Sequence, residues 1–284
     1  MSATGASERG PAPELELERP IDADWLALRE PADTRARDAA AGTLLPALLA
    51  RWEPALAPRV LDLGSGTGAN LRWLAPRLPR PEAQHWLLLD HDQHLLDRGA
   101  DLDRGLSTTP VRADVTELPG VLAASGPVDL VTAAALLDLL TLEELGAVVS
   151  AVVAAGTPAL FSLTVDGGVT LDPPDPGDSR LGTAFDAHQR RGGRLGPRAG
   201  EVGAGLFRAR GWRVVEAPTP WELSSGDEPA LVEAWSQGWA GAAVEHDPDL
   251  GADADGWLAR RREQASTGLG VVVGHVDLLA LPPE

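Results

Sequence analysis

The sequence predicts an α/β protein with a doubly wound, mostly parallel sheet. Three observations carry that prediction. Residues 60–71 pass from an apolar, β-prone run, Val60–Leu63, through Gly64, Gly66 and Gly68 into a helical pattern opened by Ala69-Asn70-Leu71. Short apolar runs then alternate with helical patterns, as a parallel sheet with crossover helices requires. The chain's 284 residues, 44% of them apolar, can bury one large core.

The elements follow in order. Residues 1–20 read as a disordered acidic tail, and 21–57 as a helical segment made of two short helices, one around Trp25-Leu26 and one over Leu44–Trp52. Strands are expected at Val60–Leu63, His85–Leu89, Pro110–Ala113, Val128–Thr132, Ala159–Val165, Trp212–Ala217 and Gly270–Ala280. Helices are expected at Leu71–Leu78, Gln93–Arg104, Leu142–Ala155 and about Ala199–Arg210. Thr141 is placed to cap the third of these, with Glu143 and Glu144 at its favourable dipole end. Residues 21–284 thus read as a single domain. Two stretches, 166–200 and 227–268, stand out as insertions on its ligand side.

The glycine turn is the chemically informative stretch. A strand that turns into a helix through glycines exposes bare backbone, and the free N–H groups at the helix start face a ligand. A P-loop needs Lys after its glycines, and this chain has no lysine; its 24 basic residues are all Arg. A dinucleotide site needs Gly-x-Gly-x-x-Gly/Ala, which Gly64, Gly66 and Ala69 satisfy. S-adenosylmethionine hosts show Asp/Glu-x-Gly-x-Gly-x-Gly, which Asp62, Gly64, Gly66 and Gly68 satisfy in full. A carboxylate at Asp62 suits an ammonium group and repels a pyrophosphate. Asp90, at the second strand's tip, is placed to accept from ribose hydroxyls. Asp114 is placed at the third strand's tip for an adenine amino group, with Val115 against the ring; a helix cap is the plainer reading of Asp114. Ala133 and Ala134, small residues after the fourth strand, leave room for a ligand.

The series Val-Leu-Asp-Leu-Gly-Ser-Gly-Thr-Gly, Leu-Leu-Leu-Asp, Ala-Asp-Val and Val-Asp-Leu-Val-Thr-Ala resembles the class I S-adenosylmethionine-dependent methyltransferases over about residues 58–165. The resemblance implies a seven-stranded, Rossmann-like sheet whose last strand is inserted antiparallel between the fifth and sixth. It implies S-adenosylmethionine as cofactor, held by Asp62, Gly64, Ser65, Gly66, Gly68, Asp90, His91, Asp114, Val115, Ala133 and Ala134. It implies, finally, in-line methyl transfer.

Composition narrows the partner. With no cysteine there is no disulfide or thiolate chemistry, and with no lysine no Schiff base. A net charge of −18 argues against nucleic acid and against anionic membranes. No Asn/Asp-Pro-Pro-aromatic motif follows the fourth strand, which reads Thr132-Ala133-Ala134-Ala135. A small-molecule acceptor and a cytoplasmic protein are therefore expected.

The acceptor side is read from the first insertion. Arg190, Arg191, Arg194 and Arg198 form an arginine cluster in an acidic chain, and Arg forks bind carboxylate or phosphate. An anionic acceptor at Arg190, Arg191 and Arg194 is one expectation; a solvated loop is the other. His188, in the same stretch, is the candidate general base. Arg29 or Arg35 could meet the cofactor's carboxylate or an acidic substrate, or lie on a solvated charged helix face. Trp235 and Trp239 share a helix face and are expected to pack as core rather than as a lid. His275 is expected to be buried and hydrogen-bonded within its strand. Two other functions fit less of the pattern: an NAD-linked oxidoreductase, and a non-catalytic S-adenosylmethionine-binding protein.

Overall fold

The computed structural model describes residues 22–53, 55–102 and 106–283. The predicted tail at 1–20 lies outside them. The first element is one long helix, α1 (Ala23–Leu49), where two short helices were expected. Pro31 and Pro46 lie inside it. An internal proline costs a hydrogen bond and strains the turn before it. Here packing wins: Ala32, Ala36, Ala40, Leu44 and Leu48 recur every fourth residue and are all buried.

The doubly wound half follows closely. It runs β1 (Arg59–Leu63), α2 (Ala69–Leu74), β2 (His85–Asp90), α3 (Gln93–Leu102), β3 (Ser107–Arg112), α4 (Leu118–Ser125), β4 (Leu130–Ala134) and α5 (Leu142–Ala155). Helix α5 opens on the expected cap. Glu144 N donates to Thr141 Oγ1 (3.2 Å) and Thr141 N donates back to Glu144 Oε2 (2.7 Å), a reciprocal box that satisfies two end groups.

The second half differs more. It comprises β5 (Ala159–Asp172), α6 (Asp178–Gln189), α7 (Ala199–Arg208), β6 (Arg213–Pro218), β7 (Trp221–Ser224), α8 (Pro229–His246), α9 (Gly251–Ala265) and β8 (Gly270–Leu281). The sheet order is β3-β2-β1-β4-β5-β8-β6, with β7 also on β8. Among the described residues the sheet has eight strands, one more than expected. Strands β1–β5 pair in parallel, and β8 runs antiparallel to β5, β6 and β7.

The first insertion is not a loop. Its start, 166–172, continues β5 past the tips of the parallel strands, and its middle forms α6. Gly167 (φ 85°) marks a break in register between Val165 and Val169, after which pairing with β8 resumes. A bulge of this kind bends a strand without ending it. The outer ends of β5 and β8, with β7, thereby make a small antiparallel platform. Helices α6, α8 and α9 and the start of α1 pack on it in a separate apolar cluster around Trp221, Trp235, Trp239 and Trp257. The other two clusters cover the two faces of the main sheet. No described helix is long and apolar enough to cross a membrane.

Candidate active site

Two neighbouring regions lie beyond the carboxyl ends of the parallel strands, where ligands of open α/β sheets bind. The first is the glycine turn after β1. Gly64, Gly66 and Gly68 have φ of 59°, 53° and 81°, a left-handed backbone that glycine adopts without strain. Ser65 N donates to Leu89 O of β2 (3.0 Å), while the Ser65 hydroxyl is buried with no partner among the described residues. Asp90 closes the turn: Oδ2 accepts from Gly66 N (2.8 Å) and Oδ1 from Asp92 N (2.9 Å). His91, half-exposed, stands 3.4 Å from Asp90 Oδ1.

The other expected contacts are placed unequally. Asp62 lies beneath the turn, fully buried, and Oδ1 accepts from Asn70 Nδ2 (2.6 Å). Asn70 also donates to Thr132 Oγ1 and accepts from Arg37 (2.7 Å). Arg37 is buried, stacks 3.7 Å from the Trp73 ring, and burial lowers its guanidinium to about 10 against the pull of Asp277, Asp62 and Asp33. Asp62 thus braces the turn from beneath. Asp114 is an N-cap, as in the plainer reading: Oδ1 accepts from Thr116 N (2.8 Å) and Glu117 answers through Asp114 N. Val115 is half-buried beside it, Ala133 is buried and Ala134 half-buried at the tip of β4.

Two side chains close over the turn. A Cβ on Gly66 would come within 3.3 Å of Leu26 Cδ1 from α1, and one on Gly64 within 3.0 Å of Leu136 Cδ1 from the segment after β4. Two residues past Leu136 lies Asp138. It is buried, and its Oδ1 has no partner among the described residues. Burial pushes its carboxyl up to about 6, with Arg29 and Arg194 pulling the other way.

The second region is a cavity of 340 Å³. Its walls are apolar and aromatic: Trp25 from α1, Phe185 from α6, Trp221 from β7, and Trp235 and Trp239 from α8. Gly167, Gly168 and Gly274 bring backbone to its surface. Four polar side chains face it, namely Arg29, Asp186, Gln189 and His275. The Arg29 guanidinium lies 5.4 Å from the Trp221 ring centroid, and its Nε donates to Asp33 Oδ2 (2.8 Å). Asp33 Oδ1 in turn accepts from Trp221 Nε1 (2.9 Å). Burial raises the Asp186 carboxyl, opposed by Arg190. Trp235 and Trp239 stack at 5.5 Å, so they pack as core, as expected, and also present a face to the cavity.

Neither His188 nor the arginine cluster, both expected on the acceptor side, lines this cavity. Helix α6 turns His188 toward α8, with Nε2 3.2 Å from Glu245 Oε2. The arginines have different partners. Arg191 reaches the same Glu245 at 3.6 Å, Arg190 is exposed and acts on Asp186, and Arg194 acts on Asp138. A shared acid and a helix turn disperse what is clustered in sequence. Among the described residues, the arginine that lines the cavity is Arg29. Arg35 pairs instead with Glu228 at 2.5 Å, exposed. His275, expected to be buried and bonded, is both, and it also lines the cavity.

A parallel β3-β2-β1-β4-β5 sheet closed by an antiparallel β8, with glycines and an acid at the β1 and β2 tips, defines a Rossmann-like methyltransferase fold. Residues 60–158 match the model of the family described as "Methyltransferase domain". That match covers the stretch from β1 to the residue before β5, which holds the glycine turn and Asp90. No curated protein matches the chain significantly. Similar solved structures include a cyclopropane synthase from Mycobacterium tuberculosis (12% identity over 92% of this chain and 94% of that one, TM-score 0.49). Others are a mycolic acid cyclopropane synthase complexed with S-adenosylhomocysteine (15%, 84% and 82%, 0.44) and the magnesium protoporphyrin IX methyltransferase of Synechocystis PCC 6803 with the same product bound (16%, 71% and 83%, 0.45).

Proposed function

We propose that the chain moves a methyl group, by in-line displacement, from S-adenosylmethionine at the Gly64–Gly68 turn to a small, flat acceptor in the tryptophan-walled cavity. One observation carries this reading. A single turn of α1 serves both regions, since Leu26 covers Gly66 while Trp25 and Arg29 line the cavity.

The residues at the turn fit the cofactor. A Cβ at Gly64 or Gly66 would crowd the space between the turn and its covering side chains. Each Asp90 oxygen accepts one backbone N–H and keeps a lone pair for a ribose hydroxyl, with His91 alongside. Ser65 offers a hydroxyl without a partner among the described residues, Asp114 and Val115 frame the adenine end, and Ala133 and Ala134 leave room beside the turn. Asp62 acts through Asn70, holding the turn's shape.

S-adenosylmethionine supplies an already activated methyl group, so the protein's task is to align the acceptor and keep water out. The aromatic walls do the latter. An acceptor that carries an acidic group would meet Arg29, whose charge Asp33 partly offsets. We read residues 21–284 as one domain, in which 166–200 and 227–268 build the acceptor side.

The test is a plugged cavity. Gly238 of α8 lines it, and a Cβ there would meet nothing within 4 Å. Gly238→Leu should lower methyl transfer from labelled cofactor to flat aromatic acceptors at least about tenfold, while S-adenosylhomocysteine affinity by calorimetry stays within about twofold. Its melting point should not fall, because Gly in a helix interior is the costlier residue by about 0.5–1 kcal/mol. Unchanged turnover would mean that the acceptor binds elsewhere.

A further inference from the structure

The most informative polar group in the cavity is His275. Its Nδ1 lies 2.9 Å from the backbone oxygen of Val273. A carbonyl oxygen only accepts, so Nδ1 carries the proton and Nε2 carries the lone pair. The residue is buried, its ring packs 5.2 Å from that of Trp221, and it lines the cavity. Nε2 has no hydrogen-bond partner among the described residues and is not one of the atoms sealed from solvent. Burial, together with Arg29, holds the imidazole at about 4, so it stays neutral near pH 7. A neutral, tautomer-locked ring in an aromatic pocket is a fixed acceptor. Left unpaired beneath a bound ligand, it would lose its water and gain nothing, at a real energetic cost.

We propose that the cavity selects an acceptor whose flat ring presents an O–H or N–H group to His275 Nε2, which makes His275 a positioning and specificity-determining residue. The proposal rests on the cavity being the acceptor site, and it refines that reading from any flat molecule to one that donates. Asp186, a carboxylate at the α6 wall, is a second acceptor, so the cavity offers donors more partners than an apolar ligand could use. A site built to hydrogen-bond a donor rejects the isostere that lacks it more strongly than an apolar wall can discriminate by size.

Indole and benzofuran test it, because they share a shape and differ in one N–H. Ligand-observed NMR titration of the wild-type protein should give indole an affinity about fivefold or more above that of benzofuran. In His275→Phe the two affinities should become equal, with benzofuran binding kept. Gly238→Leu should bind neither. Equal binding by the wild-type protein, or a preference that survives His275→Phe, overturns the role of His275 and leaves the cavity intact. Failure of both probes to bind the wild-type protein removes the cavity reading and this proposal together. Should His275→Phe not fold, 15N-histidine NMR on the wild-type protein gives the same answer. The unprotonated Nε2 resonance should move upfield with indole and not with benzofuran, and an unmoved resonance overturns the proposal.

Discussion

The turn after β1 and the cavity beneath α8 are adjacent, yet they are built by opposite means. The turn is backbone: three left-handed glycines, their N–H groups, and one acid, Asp90, that accepts from Gly66. The cavity is side chain: four tryptophans and a phenylalanine from four different elements, with a few polar groups set among them. A backbone site is specified within a dozen consecutive residues. A side-chain site exists only once α1, α6, α8 and β8 have met. The first can be kept while the second is remade, which is how one fold serves many acceptors.

The comparison breaks most sharply at Asp90. Asp90→Ala removes the acceptor of Gly66 N and Asp92 N as well as the proposed ribose contact. Two charge-assisted hydrogen bonds are together worth about 3 kcal/mol or more, so S-adenosylhomocysteine affinity should fall about 100-fold by calorimetry. Binding of flat aromatic probes to the cavity should not change. A loss confined to the probes would invert the assignment of the two regions.

Asp138 sits at their border, between Leu136 over Gly64 and Arg29 in the cavity wall. Its folded-state pKa of about 6 is above the ordinary 3.8. A raised carboxyl pKa means the folded state binds the extra proton, so this group's support is complete at low pH and fades as pH rises through 6. At pH 8 the ionised group then costs about 3 kcal/mol, and at pH 5 about half of that. Asp138→Asn should therefore raise the urea midpoint at pH 8 and raise it less at pH 5. An equal gain at both values would mean the carboxyl is not perturbed. A protein retains such a liability where it serves a site, and Asp138 is a buried, perturbed carboxyl two residues past Leu136, which covers Gly64.

How much of this the sequence showed follows the same division. The strand-turn-helix geometry at Gly64, Gly66 and Gly68, with Asp90 at the next strand's end, was legible because strand ends, left-handed glycines and caps are local signals. Thr141 and the whole of α5 were legible for the same reason. Helix α1 was not, since Pro31 and Pro46 read as punctuation and only the sheet beneath Ala32–Leu48 overrides them. The continuation of β5 through 166–172 was hidden by Gly167 and Gly168, which mark a bulge and not an end. Strand β7, four residues long, has too little pattern to be seen apart from its partner β8. The place of His275 was hidden too: a lone His in a strand says which face it takes only when the neighbouring strands are known.

The smallest expected effect separates the cluster in the sequence from the site in the fold. Four arginines within residues 190–198 suggest an anion site, but a guanidinium serves one only if it faces the ligand. Arg190 caps α6 and is exposed, with Asp186 as the acid in its field. Exposed pairs contribute about 0–1 kcal/mol. Arg190→Ala should leave both kcat and KM within about twofold, since truncation at an exposed position shifts energies by only about 0.5 kcal/mol. Arg29→Ala should raise KM selectively for acceptors with a carboxylate, because Arg29 alone among these cations lines the cavity. Measured side by side, the two variants decide whether charge recognition belongs to α1 or to the segment after α6. A tenfold loss in kcat/KM for Arg190→Ala, with Arg29→Ala silent, would return the anion site to the arginine cluster and make the tryptophan-walled cavity a bystander.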